Sequence, residues 1–462
     1  MESLDSTILN TAVPTISAAL NVLPLDMKAV LSSYTLSLAV FIPISGWMAD
    51  RFGTRRVFAA AIGMFTFASF LCGMADDIHT LVACRILQGF GGAMMVPVGR
   101  VTLVRTFAKS ELIRTMSFVA IPAWIGPLIG PMLGGLIVGY THWRLIFFVN
   151  IPIGIIGLLM VYLYLPDYRS TERRPLDVVG LILLGSGVAL LSYVLEVFGD
   201  HTLSTREILG LLALALALIA GYGVHAARVR FPLLELALFR IRTFSTAVAG
   251  SFVTRIGIGG TGFLLPLMYQ VGFGLTPIQS GLLIMPQAVA ALTTKFLSTK
   301  SLTIFGYKPV LIVNTIVVGA GLMLFATIGA DRPMWAIALQ VFIYGIFTSL
   351  QYTSMNTLVY ADVEAERTSA AGSISSTLQQ MSMSFGVAAA GLATAMFIPQ
   401  EVRHDPQRFL EGVHEAFLVL GAFTILSSFS FWRLKKGDGD SVSRQKVTPT
   451  AGEGISPAPP KA

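Results

Sequence analysis

Three charged residues lie inside long apolar stretches of this 462-residue chain: Asp5, Arg85 and Arg255. A charge placed inside an apolar membrane segment is costly and is by default functional. Asp5 is the only carboxylate clearly inside such a stretch, since Glu196 lies near the end of another. Burial raises a carboxylate's affinity for a proton and a nearby arginine lowers it, so such a group can exchange a proton in competition with a substrate. We therefore predict that Asp5 and Arg85 couple transport to protons.

Each of these three charges also has a structural interpretation. Asp5 stands close to the chain start and could cap its helix, and Arg85 could extend to the outer membrane surface. Arg255 could be satisfied by backbone carbonyls freed at the neighbouring glycines. Helical rise places Asp5 about 22 Å and Arg85 about 12 Å from the outer ends of their helices. Direct pairing would then require a bridging water or a shifted helix boundary.

Other polar side chains in apolar stretches are candidates for lining a substrate cavity. Arg255 begins the glycine-rich run RIGIGGTG at 255–262, and an easily broken helix beside a buried cation is typical of a cavity wall. The predicted substrate-binding residues are Asn10, Asn150, Arg255, Gln287, Gln351 and Gln380. Helix packing is the alternative interpretation of the glutamines.

The composition shows what must position these side chains. Hydrophobic residues make up 54% of the chain and charged residues only 12%, against about 25% charged in soluble domains. The mean hydropathy is +0.73. Since a bilayer core takes roughly 20 apolar residues per helix, we read about fourteen spans between residues 4 and 434, the first of them short.

The basic residues indicate how the chain is oriented. The net charge is +7, but it is spread over short loops, which excludes a nucleic-acid-binding face. Loops after even-numbered spans hold sixteen Lys and Arg, and loops after odd-numbered spans hold six. By the positive-inside rule, both termini lie in the cytoplasm.

The sequence contains no motif for several common kinds of binding site and catalytic site. Cys72 and Cys84 are the two cysteines, with no CxxC and no histidine cluster at metal spacing. No Gly-Lys dipeptide, nucleophile elbow or HExxH occurs. We therefore expect no metal, no cofactor and no enzymatic activity, and an ATP-driven pump would need another chain.

The run GWMADRFGTRR at 46–56 forms a tight basic loop. Gly46 allows two helices to approach, and Gly53 allows a sharp turn. Asp50 can meet a basic side chain or a helix N-terminus across the cytoplasmic face in only one of two conformations. The predicted gating residues are Gly46, Asp50, Arg51, Gly53, Arg55 and Arg56. A solvated basic turn is the alternative.

The run GPLIGPMLGG at 126–135 repeats glycine every fourth residue, which places small residues on one helix face. Its prolines are expected to bend the helix. The residues of this motif are Gly126, Gly130, Pro131, Gly134 and Gly135. Ordinary tight packing is the alternative interpretation.

The run at 46–56 and RILQGFGGA at 85–93 resemble motifs of the major facilitator superfamily, and the run at 126–135 resembles a motif of its drug/proton antiporter branches. LDSTILNTAVP at 4–14 and WRLIFFVNIPIG at 143–154 resemble signatures of its fourteen-span drug/proton antiporter family. The resemblance covers the first 155 residues well and the second half weakly. It implies an all-α membrane protein with the major facilitator fold in the bacterial inner membrane. In that family more apolar residues precede the aspartate, so we expect a truncated first span or a start further upstream.

An internal echo supports a repeated architecture. FGTR at 52–55 and FGYK at 305–308 each follow a predicted span, and repeated halves are common in secondary transporters. We predict a six-helix half at 1–166, two inserted helices with linkers at 167–243, a second six-helix half at 244–434 and a disordered tail at 435–462.

We expect a proton-coupled antiporter of the multidrug efflux type, with protons, a small-molecule substrate and the lipid bilayer as partners, and a monomer as the assembly. The excess of arginine over carboxylate inside the spans favours an alternative, the export of an anionic metabolite or metal chelate. A proton-coupled importer and a non-transporting sensor are further alternatives.

Overall fold

A computed structural model describes residues 1–107, 109–169, 175–198, 203–329, 331–364, 367–398 and 405–443. Over these residues the chain is helical and contains no β-strand, as predicted. The helices are α1 (Glu2–Ala19), α2 (Lys28–Phe52), α3 (Thr54–Met74), α4 (Ile78–Thr106), α5 (Lys109–Tyr140), α6 (Leu145–Phe148), α7 (Asn150–Tyr164), α8 (Val178–Val197), α9 (Thr205–Ala226), α10 (Arg242–Gly259), α11 (Thr261–Leu267), α12 (Pro277–Phe305), α13 (Tyr307–Phe325), α14 (Met334–Leu358), α15 (Thr368–Phe397), α16 (Pro406–Ser427) and α17 (Asp440–Ser443).

Eleven helical segments of the described residues are long and apolar enough to cross a membrane. The described side chains of α5 add a shorter apolar helix, Ile125–Tyr140. The predicted count of fourteen also includes α1 and α12, and it stays a prediction.

Helix boundaries follow local sequence chemistry. Ser204 and Glu207 form a reciprocal capping box at the start of α9, and Thr276 and Gln279 do the same at α12. Gly53 ends α2 with φ +98°, and Gly306 ends α12 with φ +78°. A residue with a side chain is strained at these angles. The two similar runs, FGTR at 52–55 and FGYK at 305–308, therefore make the same turn, one after α2 and the other after α12.

The helices pack in two groups. α1 packs on α5, and α4 packs on both α2 and α3. In the second group α12 packs on α14, α13 on α16, and α10 on α15. The groups meet where α2 touches α15 and α5 touches α12, and α8 touches both α2 and α15. The domain boundaries at 166 and 243 stay a prediction.

The two groups are closed at one end and separate at the other. At the end of the α1–α2 connection, Ile16 and Met27 share one apolar cluster with Phe263, Tyr269 and Phe417. At the opposite end, which carries the basic loops, the apolar residues of the two groups form separate clusters. The molecule is therefore open toward the predicted cytoplasmic side.

The first residues of the predicted tail contact the helical part of the chain, and the prediction of disorder from residue 435 stays a prediction. Arg242 Nη2 donates to Asp438 Oδ1 at 2.6 Å, and Ser441 Oγ donates to the carbonyl of Ala361 at 2.7 Å. Burial acts to raise the pKa of Asp438, but hydrogen bonds from Arg242 and from the Lys435 amide outweigh it and hold this pKa below its ordinary value. The rest of the predicted tail, 444–462, lies outside the described residues.

Candidate functional site

Asp5 is the centre of a buried polar cluster. Arg85 Nη1 donates to Asp5 Oδ2 at 2.5 Å. Gln88 Nε2 and Asn150 Nδ2 each donate to Asp5 Oδ1 at 2.8 Å. Asp5 is 3% exposed and Arg85 1%. The cluster thus joins α1, α4 and α7 around one carboxylate.

Arg85 has further partners on neighbouring helices. Its Nη1 also donates to Gln88 Oε1 at 2.6 Å, and its Cζ lies 4.1 Å from the centre of the Tyr34 ring. Gln88 Nε2 in turn donates to Ser69 Oγ at 2.7 Å. Removing one member of a buried ion pair costs about 3–5 kcal/mol, because the other charge is left uncompensated. The state of Asp5 is therefore linked to the side-chain contacts that join α1 to α4.

Asp5 and Arg85 are in direct contact, so of the two possibilities that the sequence left open, a bridging water and a shifted helix boundary, the water is not needed. The estimate of helix depth was at fault. It assumed that α1 and α4 end at the same depth, and it neglected the length of the arginine side chain. The capping and snorkelling alternatives do not fit, because the donors to Asp5 among the described residues are side chains and Arg85 is buried. Their role in proton coupling stays a prediction.

The glycine face of α5 lies directly on α1. A Cβ atom at Gly134 would lie 2.5 Å from the carbonyl oxygen of Ile8 and 2.7 Å from Thr11 Oγ1. At Gly126 it would lie 2.8 Å from the backbone nitrogen of Leu4. The absence of side chains at these positions lets α1 approach α5 and fixes the depth of Asp5. Gly130 faces Thr7 on α1, Pro131 accepts a hydrogen bond from Thr11, and Gly135 faces Pro277 on α12.

We expect Gly134→Ala to displace α1 and to reduce transport strongly, because backbone atoms cannot move aside as a side chain can. Overpacking of this kind costs about 1–3 kcal/mol. Gly210→Ala in α9 is the matched control, since a Cβ there meets nothing within 4 Å. Melting temperature and transport rate would be measured for both. Equal behaviour of the two variants would contradict the tight contact.

A cavity of about 430 Å³ lies between the two helix groups. Three of the predicted binding residues, Asn10, Arg255 and Gln287, line it together. Arg255 Nε donates to Ser251 Oγ at 2.9 Å, and its Nη2 donates to Asn356 Oδ1 at 3.0 Å. The partners of Arg255 are thus side chains, not the backbone carbonyls of the alternative interpretation.

Arg255 also reaches a second cavity of about 310 Å³, which Gln380 lines. The remaining two predicted binding residues face neither cavity. Asn150 belongs to the Asp5 cluster, and Gln351 is buried between Asn314 and Thr315. The sequence indicates the depth of a polar residue but not the face it occupies, and the structure places both side chains away from these two cavities. Their role in substrate binding stays a prediction.

The structure adds residues that the sequence predictions missed. Gln88 lies one turn after Arg85 in the RILQG run, and that spacing was the available signal. Tyr352 stacks on Arg255, with its ring centre 4.1 Å from Cζ, and carries no sequence signal of its own. Glu2 lines the second cavity one turn before Asp5.

The predicted gating loop makes its contacts within the first helix group. Arg105 Nη2, near the end of α4, donates to Asp50 Oδ1 at 2.7 Å. The Arg55 amide donates to Asp167 Oδ1 at 3.2 Å, and its guanidinium donates to the Tyr162 carbonyl. Asp50 therefore meets a basic side chain and ties α2 to α4. That this contact breaks in a second conformation stays a prediction. Gly46 faces open space, Arg51 lines a third cavity at this end of the molecule, and Arg56 is exposed.

We expect Asp50→Asn to slow conformational exchange while changing substrate affinity little, because the pair lies outside the binding cavities. Both side chains are partly exposed, so stability should change by less than about 1 kcal/mol. Asp76→Asn is the matched control, since Asp76 forms a similar exposed pair with Arg144 at the opposite end. An affinity loss as large as the rate loss would contradict a gating role.

A cavity of about 800 Å³, at the end with the basic loops, is bordered by the linker on either side of α8 and α9. Asp177 begins α8 and accepts from the Gly180 and Leu233 amides at 2.8 and 3.0 Å, with His225 Nε2 2.7 Å away. Burial acts to raise the pKa of Asp177, but these hydrogen bonds outweigh it and hold the pKa below its ordinary value. Asp177 therefore stays charged near neutral pH and fixes the linker to α9.

Comparisons with known proteins agree with this geometry. The family model described as Major Facilitator Superfamily matches residues 1–387 and 247–456. A Serratia proteamaculans protein named as multidrug resistance protein MdtD is 36% identical, over 98% of this chain and 94% of its own length. The Escherichia coli O6:H1 protein of that name is 38% identical, over 96% of this chain and 95% of its own.

Solved structures show the same fold. A bacterial homologue of the human lysosomal transporter Spinster, in an inward-facing and occupied conformation, aligns with a TM-score of 0.66 at 13% identity, over 93% of each chain. The D-xylose-proton symporter aligns with a TM-score of 0.65 at 15% identity, over 95% of each chain. At such identities the likeness concerns the fold alone.

Proposed function

The chain belongs to the Major Facilitator Superfamily, and from that premise we propose that it is a proton-coupled antiporter that exports small molecules by alternating access. It is a multi-pass membrane protein of the multidrug type. We further propose that both termini lie in the cytoplasm, as the loop charges predict. The observation that carries the proposal is the buried Asp5 carboxylate on a helix that also lines the central cavity.

Helix α1 connects the proton site to the substrate site. Asp5 points toward Arg85 on α4, whereas Thr7, Asn10 and Thr11 on the same helix line the 430 Å³ cavity. Protonation of Asp5 removes its attraction for Arg85, and this attraction is strong in a setting of low dielectric constant. α1 can then shift against α4, and the cavity wall that it forms shifts with it.

Transport then proceeds by exchange between two states. In the conformation described, substrate reaches the cavity from the predicted cytoplasmic side, since the opposite end is closed by the shared apolar cluster. Rocking of the two groups about the α2–α15 and α5–α12 contacts opens that end. A proton from outside binds Asp5, substrate leaves, and the protonated protein returns.

A second candidate function is export of an anionic metabolite or metal chelate, and Arg255 favours it. Among the described residues, its hydrogen-bond and stacking partners are Ser251, Asn356 and Tyr352, all neutral. An uncompensated cation beside a cavity attracts an anion strongly where water is scarce. This alternative concerns the substrate and leaves the proton site unchanged.

Proteoliposomes with an internal pH dye test the proposal. An imposed pH gradient should drive uptake of a transported compound into vesicles that hold inside-out protein, and each addition of substrate should release protons. The panel contains a lipophilic cationic dye, a tricarboxylate and its iron chelate. If none of them moves protons or is driven by the gradient, the antiport proposal is wrong.

A further inference from the structure

Two opposite charges from different helix groups line the same 310 Å³ cavity. Glu2 is on α1, in the first group, and Arg255 is on α10, in the second. They do not pair with each other in the described structure, since no N···O contact within 4.0 Å joins them. Between them the cavity is lined by Tyr352, Gln379 and Gln380. The cavity therefore has a negative and a positive end.

The carboxylate of Glu2 is incompletely satisfied. Gln380 Nε2 donates weakly to its Oε1 at 3.5 Å. Its Oε2 is buried and has no hydrogen-bond partner within the described part of the chain. A buried polar atom without a partner costs about 1–3 kcal/mol. Such an atom on a cavity wall indicates a ligand group that donates to it.

The guanidinium of Arg255 also uses only part of its hydrogen-bonding capacity. Its Nε and Nη2 donate to Ser251 and Asn356, while its Nη1 has no hydrogen bond among the described residues. Stacking on Tyr352 fixes the plane of the guanidinium. One edge of this planar group is thus left to accept an anionic partner.

The other charges near the cavity do not cancel this arrangement. Asp5 and Arg85 neutralise each other inside the Asp5 cluster. Arg100 lies at the cavity wall but is exposed, so its charge is solvated. Glu2 is partly buried, and the N-terminal ammonium of Met1 beside it offsets part of its charge. Arg255 is buried and has neutral partners among the described residues.

We propose that the cavity binds an amphoteric molecule, whose cationic amine meets Glu2 and whose anionic group meets Arg255. This deepens the proposed transport function and rests on it. A ligand with both charges satisfies both groups at once, whereas an anion alone leaves Glu2 unpaired and adds repulsion from it. Such a ligand also bridges the two helix groups, so its binding and release are tied to their rocking.

Three forms of one peptide test the charge requirement. Diphenylalanine is a zwitterion, N-acetyl-diphenylalanine an anion and diphenylalanine amide a cation. Binding to purified protein in nanodiscs would be measured by calorimetry. We expect the zwitterion to bind at least about 10-fold more tightly than either other form, which corresponds to about 1.4 kcal/mol.

Variants that each remove one charge test which end of the cavity binds the amine and which binds the carboxylate of the ligand. Glu2→Gln should reduce the affinity for the zwitterion to that for the N-acetyl form, and Arg255→Gln should reduce it to that for the amide. The exposed pair Arg408 and Glu411 supplies matched controls, Arg408→Gln and Glu411→Gln, which should change nothing. Since Arg255→Gln alters a buried site, its melting temperature is measured first, and Arg255→Lys, which keeps the charge, should retain the preference.

The charge series on the unaltered protein decides the proposal without any variant. Equal affinities of the three forms, or no detectable binding of the zwitterion, would overturn it. Tightest binding of the N-acetyl form would instead support a simple anion site. Charge-selective binding without pH-driven transport would refute the antiport function alone, and pH-driven transport with charge-blind binding would refute the amphoteric site alone.

Discussion

An Asp5→Asn variant is expected to lose pH-driven transport down to the level of protein-free vesicles, while it still inserts and folds. Asparagine keeps the size of the side chain and can still accept from Gln88 and Asn150, but it cannot bind and release a proton. Transport would be measured in proteoliposomes with an imposed pH gradient. The control is Asp331→Asn, which removes an exposed carboxylate outside the cluster.

A second substitution, at Arg85, distinguishes a loss of proton coupling from a loss of folding stability. In Asp5→Asn the buried Arg85 has lost its counter-charge, so a destabilisation of about 3–5 kcal/mol is expected. The double variant Asp5→Asn with Arg85→Gln removes both charges and should recover most of that stability but none of the coupling. Normal pH-driven transport by either variant would show that the proton binds elsewhere.

Much of the architecture was predictable because hydropathy acts over whole segments. The long apolar runs predicted the helices between Lys28 and Phe52 and between Tyr307 and Phe325 to within a few residues. The glycine that ends α2 was predictable as well, since a tight turn after a helix needs a positive φ that glycine adopts readily. The all-helical class followed because the apolar runs are about 20 residues long, the length that a membrane-spanning helix needs.

The site was less predictable because it depends on which face a side chain occupies. The sequence does not show which helix face a polar residue in an apolar helix occupies. In the structure, Asn10 lines the cavity, whereas Gln351 packs against Asn314. The Asp5–Arg85 contact depends on the relative depth of α1 and α4, which no local pattern encodes. Glu2 was missed because it stands before the first apolar run, where a carboxylate is usually solvated.

The second prediction with a large expected effect concerns membrane potential. The dependence of the transport rate on this potential reports the charge of the transported substrate. Exchange of one monoanion for one proton moves two charges, about 4.6 kcal/mol per 100 mV at roughly 2.3 kcal/mol per charge. A zwitterion moves one charge and a monocation none. At about 1.4 kcal/mol per tenfold change, each charge alters the limiting substrate gradient by roughly 50-fold per 100 mV.

Potassium and valinomycin set the potential in the same proteoliposomes, with the pH gradient held constant. The amphoteric cavity predicts the one-charge response for diphenylalanine, and Arg255→Gln should reduce its transport while Arg408→Gln does not. A two-charge response confined to the N-acetyl form would favour the anion exporter. Potential-insensitive export of the amide alone, unchanged in Arg255→Gln, would instead identify a cation exporter, because only a monocation exchanged for a proton leaves the net charge movement at zero.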